Sequence, residues 1–125
     1  MNRRIFLKLS SFTAAAISIS ILEGCKDDTA TIAISKPSFF SRFADQQTIH
    51  DAGQAYLQMA ATENSKSKLI SLLKENTGET TNIAALQTVI DKKVQQDFDN
   101  GNTFIANGWV LSLTEARQCA LFSLL

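Results

Sequence analysis

Between residues 45 and 125 the apolar positions fall into four helical stripes and one stretch of a different period. Ile49, Ala52, Gly53, Tyr56 and Ala60 recur at three- and four-residue spacing, the signature of one buried helix face. Thr48 precedes this stripe with Asp51 three residues on, which predicts an N-cap followed by an acidic first turn. Leu69, Ile70, Leu72 and Leu73 mark a short helix from about Lys66 to Glu75, capped from Thr62-Glu63-Asn64-Ser65 and ended by Asn76-Thr77-Gly78. Ile83, Leu86, Ile90, Val94 and Phe98 make the most regular stripe, entered from Glu79-Thr80-Thr81-Asn82, with Lys92 and Lys93 expected on its solvent side.

After the turn Asp99-Asn100-Gly101-Asn102 the period changes. Thr103-Phe104-Ile105-Ala106 and Trp109-Val110-Leu111-Ser112 are β-prone runs flanking Asn107-Gly108. Asn-Gly between such runs predicts a two-residue hairpin turn, because both central residues accept positive φ. Ser112 and Glu115 then have the spacing of a capping box. The last helix, Leu113 to about Leu124, leaves only Thr114, Glu115, Arg117, Gln118 and Ser123 for water, so it is either central or covered by something else. The predicted fold is mainly α: a small bundle of about four helices with one β-hairpin before the C-terminal helix.

The N-terminus has another character. Residues 1–24 join a basic head, an apolar run from Ser10 to Leu22 and a small-residue end, the three parts of an export signal. The run falls short of the ~20 residues that span a bilayer. Arg3-Arg4-Ile5-Phe6-Leu7-Lys8 resembles the twin-arginine export motif through Arg3, Arg4, Phe6, Leu7 and Lys8, with Asn2 where a serine or threonine usually leads. The resemblance implies export of an already folded chain through the twin-arginine machinery; an ordinary secretory signal carrying two arginines is the alternative. Leu22-Glu23-Gly24-Cys25 resembles a bacterial lipobox, with Glu23 at a position usually small or apolar. That implies a lipid on Cys25 and anchorage on the periplasmic face of a bacterial membrane; the alternative is cleavage further on, after Ala33-Ile34-Ser35. Residues 25–37 read as a tether ended by Pro37, and residues 38–125 as a small helical domain opening on the aromatic cluster Phe39, Phe40 and Phe43.

Charge and cysteine content narrow the function. Losing Arg3, Arg4, Lys8 and Glu23 from twelve charges of each sign leaves nine cations against eleven anions, so a nucleic-acid surface is unsupported. Cys25 and Cys119 are the only cysteines, too few for a disulfide framework or a zinc site. His50, the one histidine, adjoins Asp51 with Asp45 and Tyr56 nearby in sequence. A ligand-binding or catalytic use of His50, Asp51 and Tyr56 is one alternative reading, set against a plain solvated helix face, and a free-standing structural lipoprotein is another. Asp97 to Asn102 misses the calcium-loop spacing, since Gly101 stands at position 5 rather than 6. No cofactor or metal is expected. The aromatic set, Trp109 included, reads most simply as core.

Gly108 to Leu121, GWVLSLTEARQCAL, resembles a C-terminal block of small twin-arginine-exported proteins, some of them accessory subunits of periplasmic flavin-dependent sugar or sugar-acid dehydrogenases. It implies an accessory role beside a co-exported oxidoreductase subunit, with no catalytic residue carried over. A contact surface for such a partner is placed around Trp109 and Arg117, the residue types favoured as interface anchors.

Overall fold

A computed structural model describes residues 29–75, 77–78 and 82–125; the export motif and Cys25 lie outside them. Five α-helices and one hairpin are described: α1 Thr29–Ile34, α2 Gln46–Met59, α3 Lys66–Leu73, α4 Ile83–Asp99, β1 Thr103–Ala106, β2 Trp109–Ser112 and α5 Leu113–Leu124. The protein is mainly helical with its two antiparallel strands just before the last helix, as the periodicities predict.

The hairpin follows from its turn. Asn107 and Gly108 both have positive φ, 50° and 91°, and Ala106 pairs with Trp109, Ile105 with Val110, Phe104 with Leu111 and Thr103 with Ser112. One face of the ribbon holds Phe104, Ala106, Leu111 and Trp109, and the first three pack inward. Strand β2 passes into α5 without an intervening residue. There the capping box forms in full: Glu115 N–H donates to Ser112 Oγ at 2.9 Å, and Ser112 N–H donates to Glu115 Oε1 at 3.0 Å.

Helix α5 is central. Its residues Ala116, Ala120 and Leu121 join Ile34, Tyr56, Leu57, Leu69, Leu73, Leu86 and Ile90 in one apolar cluster. Cys119 joins Phe40, Ile49, Ala52, Ala106 and Leu111 in a second. Helix α2 crosses α5 at backbone contact: a methyl group on Gly53 would collide with the carbonyl of Cys119 and come within 2.7 Å of the Ala120 nitrogen. Gly53 is required by this approach, not by its own backbone angles.

Several expectations change. The tether expected over residues 25–37 gives way at Thr29 to α1, and Ile34, Ser35 and Pro37 are fully buried. Six residues including two threonines and two isoleucines are poor helix formers alone; α1 is held by the packing of Ile34 and by the buried amide of Gln118, which donates to the Ile34 carbonyl at 2.9 Å. Asp45, not Thr48, caps α2, accepting from Thr48 N–H at 2.8 Å. The Phe39, Phe40 and Phe43 cluster forms one 3₁₀ turn, with only Phe40 buried. Thr114, Glu115 and Gln118, expected in water, are buried beside the apolar face of α5. Lys93, also expected in water, places its ammonium 3.1–3.2 Å from the carbonyls of Leu72, Leu73 and Glu75, closing the C-terminus of α3.

Gly53→Ala is expected to destabilise the fold by about 3 kcal/mol or more, because neither colliding atom belongs to a movable side chain. Gly108→Ala, strained only by its positive φ, should cost about 1 kcal/mol. Urea unfolding of the two variants checks the order; equal losses would show that α2 and α5 can separate freely.

Candidate functional site

Three places gather polar or aromatic side chains. The first joins α2, the turn after it and α5. Glu63, in the short 3₁₀ turn Ala61–Glu63, receives Arg117 Nε on Oε1 at 3.0 Å and Nη2 on Oε2 at 3.1 Å. Tyr56 Oη donates to the same Oε1 at 2.8 Å. This is a two-pronged, charge-assisted pair with a phenol added. Burial pushes the Glu63 carboxyl up, but the hydrogen bonds from Arg117 and Tyr56 outweigh it and hold it below the usual carboxylate range. Burial and the bond to Glu63 push the Tyr56 phenol up to about 12, so it remains a donor. The three side chains bond one another across elements, which suits a brace better than a reacting centre.

The second place is an open groove of about 430 Å³. Asp91, Val94 and Phe98 of α4 form one side, Phe39 and Arg42 another, and Glu115 completes it. Burial raises the Glu115 carboxyl above its ordinary value; the Ser112 N–H opposes this, and Asp97 and Asp91 add to it. Asp97 itself is engaged, accepting Thr114 N–H at 2.7 Å on Oδ2. It serves as an anionic cap on the N-terminus of α5.

The third is the exposed side of the hairpin. Trp109 sets its ring edge-on to Phe40, centroids 5.0 Å apart, and remains 38% exposed. It therefore seals the ribbon against the core with one edge and presents the other. Ile105 and Val110, cross-strand partners on the outer face, are 67% and 57% exposed. The Nε and Nη2 of Arg117 both donate to Glu63, so Arg117, expected with Trp109 on a contact surface, is engaged within the chain.

The alternative cluster also separates. His50 Nδ1 lies 3.4 Å from Asp51 Oδ1 with both side chains about half exposed, while Tyr56 is buried against Phe104, 5.3 Å between ring centroids. Asp45 is occupied as the cap of α2. Cys119 is fully buried, and burial pushes its thiol well above the ordinary range, where it holds its proton. Among the described residues no three His, Cys, Asp or Glu side chains are grouped to hold a metal ion. Sequence reasoning gave Glu63 only a place in the capping segment Thr62 to Ser65 and missed its pairing, since its partner lies 54 positions away and no local spacing marks it.

The brace has opposite consequences at the two ends of the pH scale. A carboxyl held low in the fold contributes stability above its unfolded value of 4.5, lost as pH falls through the folded value. A phenol held high contributes below 10 and loses that contribution as pH rises toward about 12. Glu63→Gln should lower stability near neutrality by about 2 kcal/mol and flatten the acid limb, although Glu115 runs the other way. Tyr56→Phe should cost about 1 kcal/mol, flatten the alkaline limb and, because its bond to Glu63 is lost, weaken the acid limb less than Glu63→Gln does. Thermal melts across pH check both, and unchanged limbs would remove the brace. No protein-family profile, curated protein or solved structure is detectably similar to the chain.

Proposed function

We propose that this chain is an exported, lipid-anchored accessory protein of the bacterial envelope, serving a periplasmic oxidoreductase as a non-catalytic subunit or maturation partner. The observation that carries the reading is the hairpin, whose outer face leaves Ile105 and Val110 in the open while Trp109, on the opposite face against Phe40, keeps part of its ring exposed. A two-stranded ribbon with apolar side chains outward and, among the described residues, no further strand on either edge offers a surface for another protein to cover. Trp109 supplies the anchor type favoured at interface centres.

Export rests on Arg3, Arg4, Phe6, Leu7 and Lys8, and anchorage on Cys25. The fold adds support for processing before Cys25 rather than after Ser35. Cleavage after Ser35 would remove Ile34, which is wholly buried, and the carbonyl that Gln118 engages. The class of partner rests on the resemblance of Gly108 to Leu121, a block that in this fold spans the turn, β2, the capping box and most of α5. His50 and Asp51, apart from Tyr56 and solvated, favour no catalytic reading.

Arg3→Lys with Arg4→Lys should strand the chain in the cytoplasm. The exported wild type should begin at Cys25 and carry the mass of a diacylglycerol; recovery from cytosol with Met1 attached would end the reading. A photo-crosslinker at Val110 in the membrane-extracted protein should capture an oxidoreductase subunit. Trp109→Ala should weaken that complex by roughly 30-fold or more, as loss of an interface anchor does. A chain always recovered alone, or a complex indifferent to Trp109, would dismiss the accessory role.

A further inference from the structure

We propose that the exposed side chains between Ile32 and Phe43 form a lipid-facing surface, and that the folded domain lies directly on the anionic bilayer holding its anchor. The inference rests on the acylation of Cys25 put forward above. It begins with a length. Helix α1 starts at Thr29, so only Lys26, Asp27 and Asp28 separate Cys25 from the fold. Four residue steps reach at most about 14 Å when fully extended. A domain so attached cannot stand clear of the headgroups, and some part of its surface must meet them.

The chain next to the anchor has the matching chemistry. From Thr29 to Ala44 there are two cations, Lys36 and Arg42, and no acid; from Asp45 to Leu125 there are six cations and nine anions. Phe39 and Phe43 are 61% and 63% exposed and Ile32 is 44% exposed, while Phe40 turns inward. The two outer rings are preset as a pair, centroids 5.0 Å apart and edge-on. The 3₁₀ turn holds them there through Arg42 N–H to the Phe39 carbonyl and Phe43 N–H to the Phe40 carbonyl, both 3.0 Å. Exposed apolar side chains flanked by cations suit the boundary between headgroups and acyl chains. The rings enter it by about 5–10 Å, and each cation is drawn by the negative surface potential. The three-residue link itself carries one cation and two anions, and the whole stretch from Lys26 to Ala44 stays positive.

The test places a nitroxide on the full exported chain at Ser41→Cys, exposed between Phe40 and Arg42, and in a second protein at Ser67→Cys, exposed on α3. Cys119 is buried and Cys25 would be acylated, so the label reports one position. In phosphatidylglycerol-containing vesicles the label at 41 should meet lipid-dissolved oxygen and be shielded from a water-soluble nickel chelate; the label at 67 should show the reverse. Phe39→Ser with Phe43→Ser should return position 41 to water with acylation intact. Lys36→Gln or Arg42→Gln should each lower the ratio of docked to undocked domain roughly five-fold. An acylated protein whose label at 41 is as open to the chelate as that at 67 overturns the proposal. Shielding seen in native membranes but absent from pure lipid vesicles also overturns it, since a protein then covers the segment. The mass of the mature N-terminus in the same sample judges the anchor separately. An unacylated terminus fails the anchor reading and takes this inference with it, whatever the label shows.

Discussion

The structure depends on the contact between α2 and α5 at Gly53, where one helix backbone rests on the other. So close a crossing needs small residues around it, and Ala52, Ala116, Cys119 and Ala120 supply them, all buried. Larger side chains then fill the space on the two sides. Leu57, Leu69, Leu73, Leu86 and Ile90 pack on one side, and Phe40, Ile49 and Leu111 on the other. In a domain of this size the crossing makes one helix serve two apolar clusters, which is how a short chain closes a core.

Several polar groups inside the fold hold helix ends and element junctions, although Gln118 keeps a buried Oε1 without a partner among the described residues. Lys93 closes α3, Asp97 and the Ser112–Glu115 box open α5, Gln118 holds the end of α1, and Arg117 with Glu63 and Tyr56 ties α2 to α5. Each satisfies backbone groups or charges that would otherwise be costly to bury. The burial of Lys93 depresses its pKa, yet its ammonium stays among three carbonyls. Tyr56 and Asp45, which the sequence presents as candidate acids or bases, are thus used as fasteners, while His50 and Asp51 stay in solvent.

The elements legible in the sequence are those written within four residues. Asn107-Gly108 specifies the hairpin turn, Ser112 with Glu115 specifies the start of α5, and Asn82 and Ser65 cap the helices they precede. The stripes of α2 and α4 also hold, although α4 buries only Leu86 and Ile90 fully and leaves Phe98 largely open. Contacts between distant positions escape such reading. Nothing near Thr29 announces a helix, because α1 exists through Ile34 and Gln118, 84 positions apart. The burial of Gln118 and Glu115 and the exposure of Phe39 and Phe43 reverse what polarity alone suggests, since tertiary packing decides them. Trp109 seals the hairpin against Phe40 as its residue type suggests, whereas the pairing of Arg117 with Glu63 has no local mark.

The seamless passage from β2 into α5 has a mechanical meaning. Ser112 ends the strand and caps the helix in the same residue, and Leu113 N–H is tied back to the Asn102 carbonyl at 3.0 Å. No hinge is available there to absorb a pull. A load applied to the ribbon therefore passes straight into the axis of the molecule, so whatever grips the hairpin also clamps the whole body against unravelling.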